Sequence, residues 1–401
     1  MKYIVILSDG MSDFPLDALG GKTPMEVAKK PNMDKLCQNG ALGLLQTVPE
    51  SLPPGSDVAN LAVFGYDPFV YYTGRSPLEA ASMGVPLSDT DMTFRANLVT
   101  LSNDENYADK TMVDYSAGEI STEEARALIA DVNEALKTDD YEFYGGISYR
   151  HLMVWHHMDD EFALTPPHDI SDKKITEYLP KNSTILELMK KSYDILKDHP
   201  INRERIAQGK NPANSIWIWG NGKKPQLKPF AELYGLSGAV ISAVDLIRGI
   251  GVCAGLKVIE VEGTCGTIDT NFDGEAQAAI DALLKDHLDF VYLHIEAPDE
   301  AGHQGKVDDK IRAIELIDEK MVGPLVAALD KSGEDYRILI TPDHATPLAL
   351  KTHTRDAVPY VLYDSRNTGN GSGKTYTEQN AKDSGNYIAD GYKIMGRLLD
   401  K

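Results

Sequence analysis

Carboxylates and imidazoles in this chain fall directly after short apolar runs. Asp9 follows Tyr3–Leu7, Asp299 follows Phe290–Ile295 within a short loop, and Asp343-His344 follows Arg337–Thr341. The loop Glu296–His303 sets Asp299 and His303 four residues apart around a glycine, and His353 lies further on in Lys351-Thr-His-Thr-Arg355. Aspartate and histidine together supply the oxygen and nitrogen ligands of zinc, manganese and similar divalent ions. A single aspartate at a strand end is ordinarily a turn or cap residue. Five such residues (Asp9, Asp299, His303, Asp343, His344) after three separate runs, with His353 beyond, are poorly explained as independent caps. In open α/β sheets ligands collect at the carboxyl ends of strands, so a two-metal centre is expected there.

A candidate nucleophile lies in Pro53-Pro54-Gly55-Ser56-Asp57, a rigid turn leading into the apolar stretch Leu61–Phe64. Ser56 falls where a helix N-terminus would favour bound phosphate, and a nearby metal ion would lower the pKa of its hydroxyl. An ordinary N-cap serine gives the same local pattern, with Asp57 a competing cap.

These residues need a scaffold. The β-branched runs Tyr3–Leu7, Lys257–Val261, Phe290–Ile295, Arg337–Thr341 and Pro359–Tyr363 read as buried strands of a parallel sheet. Helical patterns at Ala276–Lys285 and Asp308–Leu329 alternate with them, which predicts a doubly wound α/β domain. The middle of the chain differs. Capping boxes at Ser121–Glu124 and Thr184–Glu187 open helices, and the apolar runs His151–Trp155 and Phe162–Leu164 lie between them. The expected organisation is an α/β domain from residues 1–94 and 214–401, with a smaller α+β unit, residues 95–213, inserted. No internal repeat or low-complexity tract is visible.

At 401 residues with 42% hydrophobic and 25% charged residues, the chain has the balance of a folded globular protein. Its net charge of -21 opposes nucleic acid and anionic membrane as partners. A small anionic substrate would be repelled too, and so requires locally placed cations. Cys37, Cys253 and Cys265 show no CxxC spacing, and the apolar run Ile4–Leu7 is too short for a signal-peptide core. A cytoplasmic enzyme is expected, and no pattern specifies an oligomeric state. The segment Gly220-Asn-Gly-Lys-Lys224 lacks the glycine and the Ser or Thr of a P-loop.

Taken together, ILSDGMSD around Asp9, PPGSDVANLAVFGYDP around Ser56, HIEAPDEAGHQG around Asp299 and His303, and TPDHATP with the following HTRDAVPY resemble the motifs of cofactor-independent phosphoglycerate mutases. The likeness is to the short, archaeal-type branch within the alkaline phosphatase superfamily, and it extends over nearly the whole chain. It implies an alkaline-phosphatase-like α/β domain, with one metal held by Asp9, Ser56, Asp343 and His344 and the other by Asp299, His303 and His353. Manganese is the first expectation, with magnesium, cobalt and zinc as alternatives. Ser56 would take the phosphoryl group of 3-phosphoglycerate or 2-phosphoglycerate and return it to the other hydroxyl. The inserted unit would close over the site, because a mutase must keep water from its phosphoserine. Arg95 and Arg150 match arginine positions of the family, and Arg75, Asn97 and His168 are further candidates for holding the small phosphorylated acid. Each of the arginines could equally be a surface salt-bridge partner.

One segment departs from the family pattern. Asp114–Glu119 carries no arginine, where the archaeal-type enzymes are rich in it. In this the chain resembles a bacterial branch proposed to act as a homoserine kinase. The alternatives are therefore a phosphotransferase or phosphatase using the same groups on another substrate and, more remotely, a non-catalytic metal-binding protein.

Overall fold

The computed structural model describes residues 1–160, 162–367, 369 and 371–400. Thirteen strands are found among them, in chain order β1 (Lys2–Ser8), β2 (Ala41–Leu45), β3 (Met92–Leu101), β4 (Met112–Asp114), β5 (Tyr141–Ile147), β6 (Arg150–Trp155), β7 (Ser215–Lys223), β8 (Gly238–Ile241), β9 (Lys257–Val258), β10 (Phe290–Ile295), β11 (Tyr336–Thr341), β12 (Val358–Asp364) and β13 (Tyr387–Ile388). Two compact units divide the chain, Met1–Tyr72 with Gln226–Lys401, and Thr73–Pro225.

The first unit is built on an eight-stranded sheet in the order β13-β2-β12-β11-β1-β10-β8-β9. At its centre β1, β10 and β11 run parallel, with Ser8 level with Ile295 and Leu7 level with Thr341. Their Val, Ile and Leu side chains are buried on both faces, the pattern of a strand covered by helices on either side. The sheet is not parallel throughout. The expected strand at Pro359–Tyr363 forms as β12 but runs antiparallel to both β11 and β2, and the run at Lys257–Val261 pairs only over the two residues of β9.

The predicted helix over Asp308–Leu329 is interrupted. An α-helix at Val307–Leu316 passes through a π-helical segment, Ile317–Val322, into a second helix at Gly323–Ser332. The π segment carries Asp318, whose carboxylate accepts the backbone N–H groups of Asn32 (3.2 Å) and Met33 (2.6 Å) and so caps the helix Pro31–Asn39 from outside.

The second unit is a five-stranded antiparallel sheet centred on β3, with β6 on one side, β7 on the other, β4 at its end and β5 beyond β6. Helices Thr122–Leu136 and Ser183–Leu196 pack on it through a core that includes Phe94, Leu98, Leu128 and Trp217. It runs from Thr73 to Pro225, wider than the expected 95–213, because the helix Ser76–Ser82 packs on β3 and β7 completes the sheet.

Ser121 caps its helix as expected, but its hydroxyl also donates to the Glu124 carboxylate, which binds Arg205 at 2.7 Å. The second capping box does not form, because Asn182 caps that helix by accepting Ile185 N–H. Phe162 and Leu164 pack against the core without forming a strand. All three tryptophans, Trp155, Trp217 and Trp219, lie on β6 and β7. Among the described residues no helix is long and apolar enough to cross a membrane.

Candidate functional site

The level ends of β1, β10 and β11 bring distant sequence segments to one edge of the first unit's sheet. Ligand atoms of Asp9, Asp343 and His344 lie within 4.8 Å of one another, all buried, and those of Asp299, His344 and His353 form a second such group. Ser56 Oγ is 3.1 Å from His344 Nε2. Ser56 is the first residue of the helix Ser56–Val63, after Gly55 as N-cap, so its hydroxyl is not used for capping. Asp57 does not cap either. Its carboxylate accepts Val58 N–H and the Tyr72 hydroxyl, both at 2.9 Å.

Glu296–His303, expected as a loop, is mostly helical. Ala297–Gln304 begins with Pro298 in its first turn and ends at Gly305 in the left-handed region (φ 70°). Asp299 and His303 are therefore one turn apart on one face, 3.2 Å between Oδ2 and Nε2. His353 Nε2 lies 3.5 Å from Asp299 Oδ1 and 2.8 Å from His303 Nε2, and the His344 and His353 rings stack at 3.9 Å. Gly10 must be glycine. At φ 60° its backbone passes so close to Asp299 that a Cβ would sit 2.5 Å from Oδ1.

The partners of each imidazole fix which nitrogen faces the site. His303 Nδ1 donates to the Lys351 carbonyl at 3.0 Å, leaving Nε2 toward Asp299. The Thr346 hydroxyl donates to Asp299 Oδ1, so its oxygen accepts from His344 Nδ1–H at 3.2 Å. Burial holds His344 below its ordinary pKa, and its Nε2 lone pair then points at Ser56. Burial likewise pushes His294 down to about 4. Neutral His294 donates from Nε2 to Asp9 Oδ2 at 2.9 Å while Nδ1 accepts from Ser242 Oγ at 3.1 Å.

Asn60, one turn beyond Ser56, donates to the Ser56 carbonyl (2.8 Å) and to Asp343 Oδ2 (2.9 Å), and accepts the Tyr292 hydroxyl (2.7 Å). His294, Asn60, Tyr292 and Thr346 were not singled out from the sequence. The available signal was a polar residue inside an apolar strand, as in Phe290-Val-Tyr-Leu-His-Ile295.

The electrostatics suit a cation. Burial, then the neighbouring Asp343 and Asp299, drive Asp9 well above the usual carboxylate range. Asp9 Oδ1 is buried with no hydrogen-bond partner among the described residues, an acceptor that a metal ion would satisfy. Burial raises Asp299 as well, but its bonds to His303 and His353 outweigh that and hold it well below the ordinary value. The Asp299 bond in turn pushes His303 up to about 9.

The remaining predicted residues gather in the second unit, and strand register explains it. Arg95 and Asn97 alternate onto one face of β3, Trp219 of β7 stands opposite Arg95, and Arg150 of β6 stands opposite Asn97. The Arg95 guanidinium lies 4.6 Å from the Trp219 ring, whose Nε1 donates to Asn97 Oδ1 at 3.0 Å, and His168 abuts the same ring at 5.4 Å. Arg75 and Arg95 each bond Glu79 at 3.1 Å, so both also take part in ion pairs. Arg150 lies over Tyr149 at 5.8 Å. The arginine-free segment is closed on its own carboxylate. Asp114 accepts Ser116 N–H, Gly118 N–H and the Asn211 amide at 2.6–2.8 Å.

A central α/β sheet that gathers three aspartates, three histidines and a serine hydroxyl at its strand ends has the arrangement of metal-assisted phosphoryl-transfer proteins. The family model of 2,3-bisphosphoglycerate-independent phosphoglycerate mutase matches residues 37–202. A relative from Geobacter sulfurreducens, described as a probable enzyme of that name, is 54% identical over 404 residues and covers both chains fully. The 2,3-bisphosphoglycerate-independent phosphoglycerate mutase of Methanosarcina barkeri is 49% identical over 403 residues, covering 100% of this chain and 99% of its own. A solved protein from Pyrococcus horikoshii superposes with a TM-score of 0.83 at 32% identity, covering 100% of this chain and 97% of that one. The chain belongs to the cofactor-independent phosphoglycerate mutase family, as its motifs led us to expect.

Proposed function

We propose that this protein interconverts 3-phosphoglycerate and 2-phosphoglycerate without added bisphosphoglycerate, with Ser56 as the phosphoryl carrier. The observation that carries this is the Ser56 hydroxyl, free of capping and 3.1 Å from His344 Nε2, beside two acid–histidine clusters. Asp9, Asp343 and His344, with Ser56, would hold one divalent ion, and Asp299, His303 and His353 the other. Manganese is the first choice, with magnesium, cobalt and zinc as alternatives. Bound there, the ions would lower the pKa of the Ser56 hydroxyl and offset the charge of the phosphoryl group.

The chain's own residues then divide the work. Ser56 Oγ gives up its proton and forms a bond to phosphorus as the ester bond to glycerate breaks, and the released glycerate oxygen takes up one proton, so the proton count is unchanged. Transfer back to the neighbouring hydroxyl restores Ser56 and yields the isomer. The N-terminus of the helix Ser56–Val63 favours the anionic group at this residue. Asn60 orients Ser56 and Asp343 together, and His294 orients Asp9. Arg150, Arg95, Arg75, Asn97 and His168 are proposed to hold the carboxylate and phosphate of the acid, since a guanidinium pairs with either in a bidentate fork. The unit Thr73–Pro225 would thereby be the substrate-holding unit.

A second reading, phosphoryl transfer to another acceptor such as homoserine, is favoured by the arginine-free segment closed on Asp114. One assay separates the two. Purified protein with Mn2+ and 3-phosphoglycerate should give 2-phosphoglycerate and almost no free phosphate. Intact metal binding without isomerisation would reject the mutase reading and make homoserine, with a phosphoryl donor, the next acceptor to test.

A further inference from the structure

Lys310 is fully buried, yet the chemistry above gives it no task. It projects from the helix Val307–Leu316, and its ammonium lies 2.7 Å from Asp13 Oδ2, 2.9 Å from the Thr346 carbonyl and 3.3 Å from the Ser12 carbonyl. Three acceptors match the three donors of an ammonium group. They come from two chain segments. Ser12 and Asp13 belong to the stretch after β1 that carries Asp9, and Thr346 belongs to the stretch after β11 that carries Asp343 and His344.

The same two segments are tied again around this point. The Asp13 carboxylate accepts Leu348 N–H at 3.2 and 3.3 Å, and Ala345 forms bridges with Met11, Ser12 and Thr354. Thr346 has a double role. Its carbonyl binds Lys310, while its hydroxyl donates to Asp299 and accepts from His344. Thr346 therefore touches one member of each acid–histidine cluster, and Lys310 anchors it from behind.

We propose that Lys310 is a positioning residue that sets the spacing of the two clusters, and with it the ability to hold two divalent ions at once. The inference rests on the metal reading of those clusters given above. A charge-balancing role for Asp13 alone would leave metal binding untouched once both charges were removed, whereas a positioning role would not.

The experiment compares the full-length protein with Lys310→Met, Asp13→Asn and the double variant Lys310→Met/Asp13→Asn. Three properties are read: the thermal midpoint in chelator, Mn2+ stoichiometry and affinity by equilibrium dialysis, and the absorption spectrum of the Co2+-loaded protein. Lys310→Met should lower both midpoint and affinity, because it leaves the Asp13 carboxylate buried without its cation. In the double variant most of the midpoint should return, while Mn2+ affinity stays about 10- to 100-fold weaker and the Co2+ spectrum stays altered. Recovery of stability without recovery of metal binding is the expected signature. A double variant that binds two Mn2+ ions within about twofold of wild-type affinity, with an unchanged Co2+ spectrum, overturns the proposal. The double variant decides the matter even where Lys310→Met alone fails to fold. Wild-type protein that binds no Mn2+ is a different outcome, and rejects the metal reading itself.

Discussion

Asn60 offers the sharpest test of how the Ser56 region is held. In Asn60→Ala the Asp343 carboxylate loses an amide donor at 2.9 Å, a bond to a charged group worth about 1.5–3 kcal/mol. The Tyr292 hydroxyl loses its acceptor at 2.7 Å. It cannot turn to water, because Tyr292 is fully buried and stacked on Phe64 at 3.8 Å, so its desolvation costs a further ~1–3 kcal/mol. Together these give a loss of about 2.5–6 kcal/mol, large against the stability of an ordinary domain. Tyr292→Phe removes the hydroxyl itself and should cost only ~1–2 kcal/mol. In the double variant no hydroxyl is left stranded, so its cost should fall below the sum of the two singles by at least ~1 kcal/mol. Urea unfolding followed by circular dichroism, in chelator to remove any linkage to metal binding, measures all three. An Asn60→Ala loss under ~1 kcal/mol, or strictly additive singles, would refute the reasoning.

Other expectations concern the site directly. Ser56→Ala should bind Mn2+ but lose all turnover, read by dialysis and by the isomerisation assay; residual transfer near the wild-type rate would remove Ser56 as carrier. Asp299→Ala and His353→Ala should each lower metal content to about half, since each strips one cluster and leaves Asp9, Asp343 and His344 in place. Arg150→Ala should keep its metals and raise KM more than it lowers kcat, so an unchanged KM would place Arg150 outside the substrate site. Glu275 yields a pH prediction. Burial, opposed by the bond from Thr270, pushes its pKa from 4.5 up to about 7. The folded state therefore keeps a proton that the unfolded chain releases, and stability falls as pH rises from about 4.5 to about 7. Glu275→Gln should stabilise by up to ~3 kcal/mol above pH 7 and by little at pH 4, and equal effects at both would contradict this.

The part of the site visible in the sequence is the part set by strand ends. Asp9 and Asp343-His344 could be read because each directly follows an apolar run, and parallel strands at level register bring such positions together. Asp299 and His303 could be recognised as a pair from their spacing of four around a glycine in a segment expected as a loop; the segment is helical, and its turn is what sets the two on one face. The groups behind the acid–histidine clusters were hidden for the opposite reason. His294 and Tyr292 sit within β10 and read as strand filling, and Asn60 reads as one more position of a short helix. Their importance comes from partners 232 to 285 residues away in sequence. The grouping of Arg95, Asn97, Arg150 and Trp219 depends on antiparallel register, which no local pattern encodes. The break in the helix near Asp318 was likewise invisible, since apolar periodicity continues across it.

The placement of every tryptophan on β6 and β7 has a practical consequence. Every indole therefore belongs to the unit Thr73–Pro225, and the unit that carries Ser56 and the acid–histidine clusters has none of its own. Trp219, 4.6 Å from the Arg95 guanidinium and bonded to Asn97, stands among the residues proposed to hold the substrate. Its emission is thus a built-in optical probe of the arginine cluster, and a titration with phosphoglycerate can be followed on the native chain without any label.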